Sequence, residues 1–220
     1  MKTALITGDM GFIGRHLRHH LTSNGWAVFG FDFKEGHDIR RLDRCPLEYG
    51  DIDVCYHLAA QTNAQAGDAF LDADHNIMGT INVLQRFGNK VVFASSCAIN
   101  YPVTPYAISK LAGEHYTRLY GGRIVRLCNI HGPGGHGVFE AFLEADTLRI
   151  AGSGTQSRTY APVTRAVNAL VYSTEPLHIL WGEDLTVNQI ADLWPDKPRE
   201  FVPQSVNDLE VGVQVYDLPR

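Results

Sequence analysis

Thr3-Ala4-Leu5-Ile6-Thr7-Gly8-Asp9-Met10-Gly11-Phe12-Ile13-Gly14 reads as a strand, a glycine turn and the start of a helix. Residues 4–6 make a short buried strand. Gly8 ends it and permits a tight turn, Gly11 lets main chain approach a pyrophosphate, and Gly14 lets the helix pack against the sheet. The spacing G-x-x-G-x-x-G departs from the commoner G-x-G-x-x-G, and a plain strand-to-helix turn would use the same glycines. The residues beyond Gly14 favour a dinucleotide. Phe12, Ile13, Leu17 and Leu21 form one apolar helix face, and Asp32 ends a second strand about twenty residues on, where an acid holds the adenosine ribose hydroxyls. A carboxylate there repels a 2′-phosphate, which favours NAD over NADP, although Lys34 stands close by. Phe33 is counted with the cofactor-binding residues. Asp38 and Ile39 either flank the adenine or form an exposed loop.

Outward from this run, short apolar segments alternate with helical patterns. Strands are expected at 27–32, 54–58, 91–95 and Arg123–Leu127, and helices at Phe12–Ser23, 76–87 and 106–120. This rhythm predicts an α/β fold: a Rossmann-like, doubly wound parallel sheet with ligands beyond the carboxyl ends of the strands. After about Gly132 the rhythm weakens, with helices expected at 138–145, Val163–Tyr172 and 187–194. The expected division is a cofactor-binding domain over 1–132 and a small C-terminal substrate-binding cap, interleaved with the core, over 133–220.

The chain has 220 residues, 45% hydrophobic and 20% charged, which suits one compact soluble domain with at most a small appendage. A net charge of −5 without a lysine or arginine run speaks against nucleic acid, and no apolar stretch is long enough to span a bilayer. The N-terminus leads directly into the first strand and is not read as a signal peptide. Cys45, Cys55, Cys97 and Cys128 lack metal-type spacing and read as reduced thiols of a cytoplasmic protein. His16, His19 and His20 share a helix at metal-like spacing, but no cysteine or acid cluster joins them, so no metal site is expected.

A second motif, Tyr106-Ala107-Ile108-Ser109-Lys110, spaces a phenol and an ammonium four residues apart on one helix face. A free tyrosine, with a pKa of about 10, is a poor base at neutral pH. Lowering that by about three units takes about 4 kcal/mol, which a close lysine and a positive nicotinamide ring together can supply. Lys110 could also hold the nicotinamide ribose. Ser96, at the end of the strand over 91–95, can hydrogen-bond the substrate oxygen. Ser95 and Cys97 compete for this role: counting from the strand favours Ser96, and counting back from Tyr101 favours Cys97. Out of context, Tyr-x-x-x-Lys is a common surface pairing; after the glycine turn, Asp32 and the serine strand end it reads as catalytic.

With these residues in view, the chain resembles the extended short-chain dehydrogenase/reductases of the NAD-dependent nucleotide-sugar epimerase/dehydratase branch. The matching pieces are Thr7–Gly14 in the turn, Asp53-Val54-Cys55-Tyr56-His57-Leu58-Ala59-Ala60, Asn76-Ile77-Met78-Gly79-Thr80-Ile81-Asn82-Val83-Leu84, Phe93-Ala94-Ser95-Ser96, Tyr106 to Lys110, Arg126-Leu127-Cys128-Asn129-Ile130-His131-Gly132-Pro133-Gly134 and Gly152-Ser153-Gly154-Thr155-Gln156-Ser157-Arg158-Thr159-Tyr160. The resemblance implies that Phe12 and Ile13 lie at the pyrophosphate, and that Leu58, Ala59 and Ala60 line the nicotinamide side of the cleft. It puts Asn76 near a central helix kink by the cofactor. Asn129 would contact the sugar nucleotide and Arg158 would bind its diphosphate, where a planar guanidinium suits paired anionic oxygens; alone, Arg158 would read as a surface residue. A homodimer through the helices over 74–87 and 106–120 is implied as well.

The departures bear on the reaction. The loop over 97–105 is short, Asn100 stands where a tyrosine often follows the serine motif, Thr164-Arg165 replaces the family's acidic pair, and the C-terminal region is reduced. Dehydratases of the family need an acid and a base beside the serine, and Cys97-Ala98 cannot supply them. The expected function is therefore inversion at C4 of a UDP-hexose through a transient 4-keto sugar, as in a UDP-glucose 4-epimerase. A nucleotide-sugar decarboxylase, a keto-sugar reductase and a non-catalytic NAD-sensing protein are the alternatives.

Overall fold

The computed structural model describes residues 1–62, 68–100 and 102–203, with the backbone alone at Arg44. Tyr101, the reference for the count that favours Cys97, lies outside the described residues. The chain forms two compact units. One is Met1–Leu127 with Thr164–Leu180; the other is Cys128–Val163 with the described residues from Trp181 on. The segment Thr164–Leu180 thus returns to the first unit from within the region expected to form the cap.

In the first unit, β1 (Thr3–Thr7), β2 (Ala27–Phe31), β3 (Val54–His57), β4 (Val91–Ser96) and β5 (Arg123–Leu127) form a parallel sheet in the order β2-β1-β3-β4-β5, extended at its edge by Leu177–Ile179. This is a Rossmann-like α/β arrangement. The edge strand, only three residues long, was not expected from the sequence. Strand order reverses at β1, which pairs with β2 on one side and β3 on the other. Such a switch point opens a crevice beyond the strand ends. Helix α1 (Phe12–Ser23) comes directly after β1 and buries Leu17 and Leu21. On the opposite face, Leu5 packs with Phe31, Cys55, Phe93 and with Val83, Leu84 and Phe87 from the helix before β4.

That helix corrects the expectation most. Instead of starting at Asn76, the helical run begins with α2 (Ala69–Asp72), capped by the Asp68 carboxylate accepting from Phe70 N–H and Leu71 N–H. It then widens into a π turn over Ala73–Met78 before α3 (Gly79–Phe87) resumes the ordinary pitch. A π turn inserts an extra residue and turns the side chains around it; Asn76 sits inside it. Helix α4 (Pro105–Leu119) has Pro105 in its first turn and Thr104 as cap, its hydroxyl accepting from Ala107 N–H.

The second unit holds a three-stranded sheet, Glu183–Thr186, Ser157–Pro162 and Asn129–His131, and a parallel pair, Leu148–Ala151 with Arg199–Val202. None of these short strands was expected. Helices Val138–Glu144 and Val187–Ala191 help enclose Phe142, Leu148, Ile150 and Ile190. Among the described residues, no helix is long and apolar enough to cross a membrane.

The glycine turn is packed against itself. A Cβ on Gly14 would lie 2.2 Å from Gly8 O and 2.7 Å from Asp9 Cα, so this glycine makes room for the loop's own backbone as well as for the helix. Gly14→Ala is expected to cost roughly 1–3 kcal/mol by overpacking, measured by denaturant unfolding. Gly50→Ala, with nothing within 4 Å of the added carbon, is expected to be near neutral.

Candidate active site

The residues at the carboxyl ends of β1, β2 and β3 form a cradle. Gly8 has φ +76° and its absent side chain leaves room for Ala59, whose nitrogen would stand 2.7 Å from a Cβ. Gly11 caps α1 without a side-chain hydrogen bond, so the first-turn amides at Phe12 and Ile13 are left for an anion. Asp32 ends β2 with its carboxylate accepting from Met10 N–H (3.0 Å) and Lys34 N–H (2.8 Å), which fixes it at the turn and leaves lone pairs for hydroxyl donors. Lys34 Nζ donates to Met10 O at 3.3 Å, its charge directed at backbone. A cavity of about 290 Å³ continues from there, lined by Phe33, Asp38, Ile39, Ala59, Ala60 and His75 among others. The Asp38 carboxylate is gripped by the Arg40 guanidinium, whose hydrogen bonds hold it below the usual carboxylate range against the opposing effect of burial.

At the end of β4, Ser95 and Ser96 part company. Ser95 Oγ donates to the buried Glu114 carboxylate at 2.7 Å. Ser96 Oγ accepts from Ala98 N–H at 3.2 Å and is hydrogen-bonded to the Tyr106 phenol. Cys97 lies close enough to affect the same phenol. Tyr106, Lys110 and Glu114 succeed one another at i, i+4 and i+8 on the inner face of α4. Lys110 is 4% exposed; its Nζ donates to Ala94 O at 2.8 Å and lies 4.8 Å from the Phe93 ring centroid and 5.9 Å from that of Tyr106. Glu114 is taken by Arg126 through two hydrogen bonds of 2.7 and 2.8 Å. The lysine is thereby left without a carboxylate partner among the described residues.

In the second unit, Asn129 Nδ2 donates to Thr159 O at 3.0 Å, and Arg158 Nη1 donates to Ser157 O at 2.8 Å. Asn129 is in register with Tyr160, two residues beyond Arg158, so these three side chains share a face of the small sheet. His131 stacks on Phe139, which meets Tyr160 edge to face. The Glu140 carboxylate ties the glycine loop, accepting from Gly132 N–H (2.7 Å) and Gly137 N–H (2.9 Å).

Residues 4–178 match the family model described as the NAD dependent epimerase/dehydratase family. The chain belongs to that family. It is similar to the UDP-glucose 4-epimerase of Mycolicibacterium smegmatis, 28% identical over 93% of this chain and 87% of the relative. It is also similar to the UDP-N-acetyl-alpha-D-glucosaminuronate decarboxylase of Bacillus cytotoxicus, 30% identical over 77% of this chain and 70% of the relative. Among solved structures, the Thermus thermophilus UDP-glucose 4-epimerase complex with NAD superposes with a TM-score of 0.81 at 26% identity, covering 94% of this chain and 88% of that one. NAD is the cofactor of this epimerase/dehydratase family, and the open α1 N-terminus, Asp32 and the cavity beside it fit a dinucleotide.

Two features of this family member were not foreseen. First, the residues alone do not activate the phenol. Burial pushes the Tyr106 pKa up to about 12, the hydrogen bond from Ser96 opposes this, and Cys97 and Asp72 add to it. The Lys110 ammonium is turned onto Ala94 O and Phe93, and burial pulls its own pKa down to about 8.

Second, a buried polar chain links the glycine turn to α4. Ala59 N–H donates to Thr7 Oγ1 at 3.3 Å, Thr7 Oγ1 meets His57 Nδ1 at 2.7 Å, and His57 Nε2 meets Thr80 Oγ1 at 2.9 Å. Thr80 spends its proton on Asn76 O. It must therefore accept from His57 Nε2–H, and Nδ1 accepts from Thr7. Asn76 continues the chain: its Oδ1 accepts from Gln61 N–H at 2.7 Å and its Nδ2 donates to Ser109 Oγ at 2.9 Å. His57 was legible only as part of the Tyr-His-Leu-Ala-Ala motif; no local pattern announced its threonine partners.

Burial lowers the His57 pKa to about 3, with Lys110 adding to the effect. A depressed folded-state pKa means the unfolded chain takes up the proton first, so stability present above about pH 6.5 is lost as pH falls toward 3. Over that window the protein is expected to lose on the order of 4 kcal/mol more than a His57→Asn variant, read from denaturant melts at successive pH values.

Proposed function

We propose that this chain inverts C4 of a UDP-linked hexose by transient oxidation to the 4-keto sugar. One observation carries the reading: the Ser96 hydroxyl is bonded to the Tyr106 phenol at the end of β4, while the next two positions, Cys97 and Ala98, hold no acid. A proton can be taken from one hydroxyl there, but no carboxyl pair stands after the serine to eliminate water. The Mycolicibacterium epimerase and the Bacillus decarboxylase both act on UDP-linked sugars by their names, which supports the substrate class.

NAD, when bound, would supply reversible hydride acceptance at the sugar carbon. Tyr106 takes the hydroxyl proton and gives it back, with Ser96 donating a hydrogen bond to the same oxygen. Lys110 holds the nicotinamide ribose, and its charge together with the oxidised ring favours the tyrosinate. The first-turn amides of α1, at Phe12 and Ile13, hold the pyrophosphate. Asp32 and Phe33 hold the adenosine ribose side, with Asp38 and Ile39 at the adenine, and Leu58, Ala59, Ala60 and Asn76 toward the nicotinamide. Asn129 and Arg158 bind the nucleotide diphosphate of the substrate.

The protein is expected to interconvert two UDP-sugars when incubated with NAD and a panel of UDP-, dTDP-, GDP- and CDP-sugars, with products identified by mass and NMR. Tyr106→Phe is expected to lower turnover by roughly 10²–10⁴-fold while retaining NAD. Release of carbon dioxide would instead establish the decarboxylase, net oxidation or reduction a dehydrogenase, and NAD binding without any conversion a sensing protein.

We also propose a homodimer. Ile108, Tyr116 and Leu119 form an exposed apolar stripe on α4, and Phe70 and Met78 are exposed on the run leading into α3. Sedimentation of the purified protein is expected to give twice the chain mass, and Leu119→Glu with Ile108→Glu the single mass.

A further inference from the structure

Asp9 stands in the glycine turn between Gly8 and Gly11, and it is 0% exposed. An acid is out of place there. The same turn opens the N-terminus of α1, whose first amides suit an anion, and a carboxylate beside them works against a pyrophosphate. The fold supplies a counter-charge. Arg18, about two turns into α1, donates from Nη1 to Asp9 Oδ2. Asp9 Oδ1 is buried with no hydrogen-bond partner. The two side chains meet over β2 at Gly30: a Cβ there would overlap Asp9 Oδ2 and stand 2.6 Å from Arg18 Nη1. Glycine inside a strand costs entropy and packing, and it marks a close approach. Here the room it leaves is taken by the ion pair.

We propose that Arg18 is a positioning residue for the cofactor: by neutralising the buried Asp9 carboxylate, it lets the glycine turn receive a doubly negative pyrophosphate. This rests on the turn being the pyrophosphate site, as proposed above, and not on which sugar reaction follows. Two further carboxylates bear on Asp9, Asp32 at the end of β2 and Glu35 in the turn after it, and both disfavour its charge. Burial pushes the Asp9 carboxyl above its ordinary range most strongly, and Arg18 opposes the rise. Lys34, in the same turn as Glu35, directs its Nζ at Met10 O. Water cannot take over from Arg18. The guanidinium is partly open to solvent, but the carboxylate is wholly buried and poorly screened. Arg18 need not touch the phosphates; it cancels a charge that would repel them and fastens the turn to α1.

The test is NAD binding to the purified full chain, measured by calorimetry at mildly alkaline pH with no sugar present. Arg18→Gln keeps a donor for Asp9 Oδ2 and removes the charge. It is expected to weaken NAD binding by roughly tenfold. Adenosine, which carries no phosphate, is expected to lose less than about twofold, read from its displacement of NAD. Asp9→Asn combined with Arg18→Gln removes both charges and is expected to return NAD binding to within about threefold of the parent protein. If Arg18→Gln does not fold, Gly30→Ala, whose methyl crowds the pair apart, carries the same expectation for NAD and adenosine. Unchanged NAD affinity in the folded single variant would overturn the proposal. So would an equal loss for adenosine, or a loss that the double variant does not repair, since either marks a purely structural role. Sugar conversion does not enter the measurement. A protein that converts no UDP-sugar still decides the role of Arg18, and a failure of that role leaves the epimerase reading as it stands.

Discussion

A neutral imidazole between two threonine hydroxyls is the constraint on which the site depends. His57 accepts from Thr7 at the end of β1 and donates to Thr80 at the start of α3, while Thr80 hands its proton to the π turn at Asn76. Every donor in this chain points the same way, so one tautomer is specified. A protonated ring would have to donate to Thr7 as well, and it would face the buried Lys110 ammonium. Each such bond contributes only about 1 kcal/mol net. Their larger effect is geometric: the glycine turn, β3 and the π turn are held in one register, and Asn76 carries it on to α4.

Burial sets the chemistry on α4: it makes Tyr106 ionise less readily and Lys110 lose its proton more easily. Two charges are kept apart along α4. Glu114 is paired with Arg126 and Arg118, so among the described residues no carboxylate neutralises the Lys110 ammonium.

Much of this was legible in the chain. The glycine turn, Asp32 at the end of β2 and Phe12–Ser23 come from local pattern, because a buried parallel strand and an amphipathic helix each leave their own period. The choice between Ser95 and Ser96 was not local. Alternation along β4 aims one hydroxyl at Glu114 and leaves the other at the strand end by Tyr106, and neither partner is a near neighbour in sequence. The helical run from Ala69 to Met78 starts earlier than its pattern suggests, because its cap, Asp68, is not succeeded by a regular apolar repeat and the π turn breaks the period. Leu177–Ile179 and the short strands of the second unit are too brief to show alternation. They exist through the partners they pair with.

The sequence by itself determined the order of the first five strands, the glycine turn and the pairing of Tyr106 with Lys110 on one helix face, since each rests on spacing within a few residues. Only the tertiary structure decided which groups are dry and which charges meet. His57 stands 23 residues from Thr80 and 50 from Thr7, and Asn76 meets Ser109 of α4 across 33 residues. Hydrogen bonds and fields act through space, and burial is a property of the packed whole, so no window along the chain could have contained them.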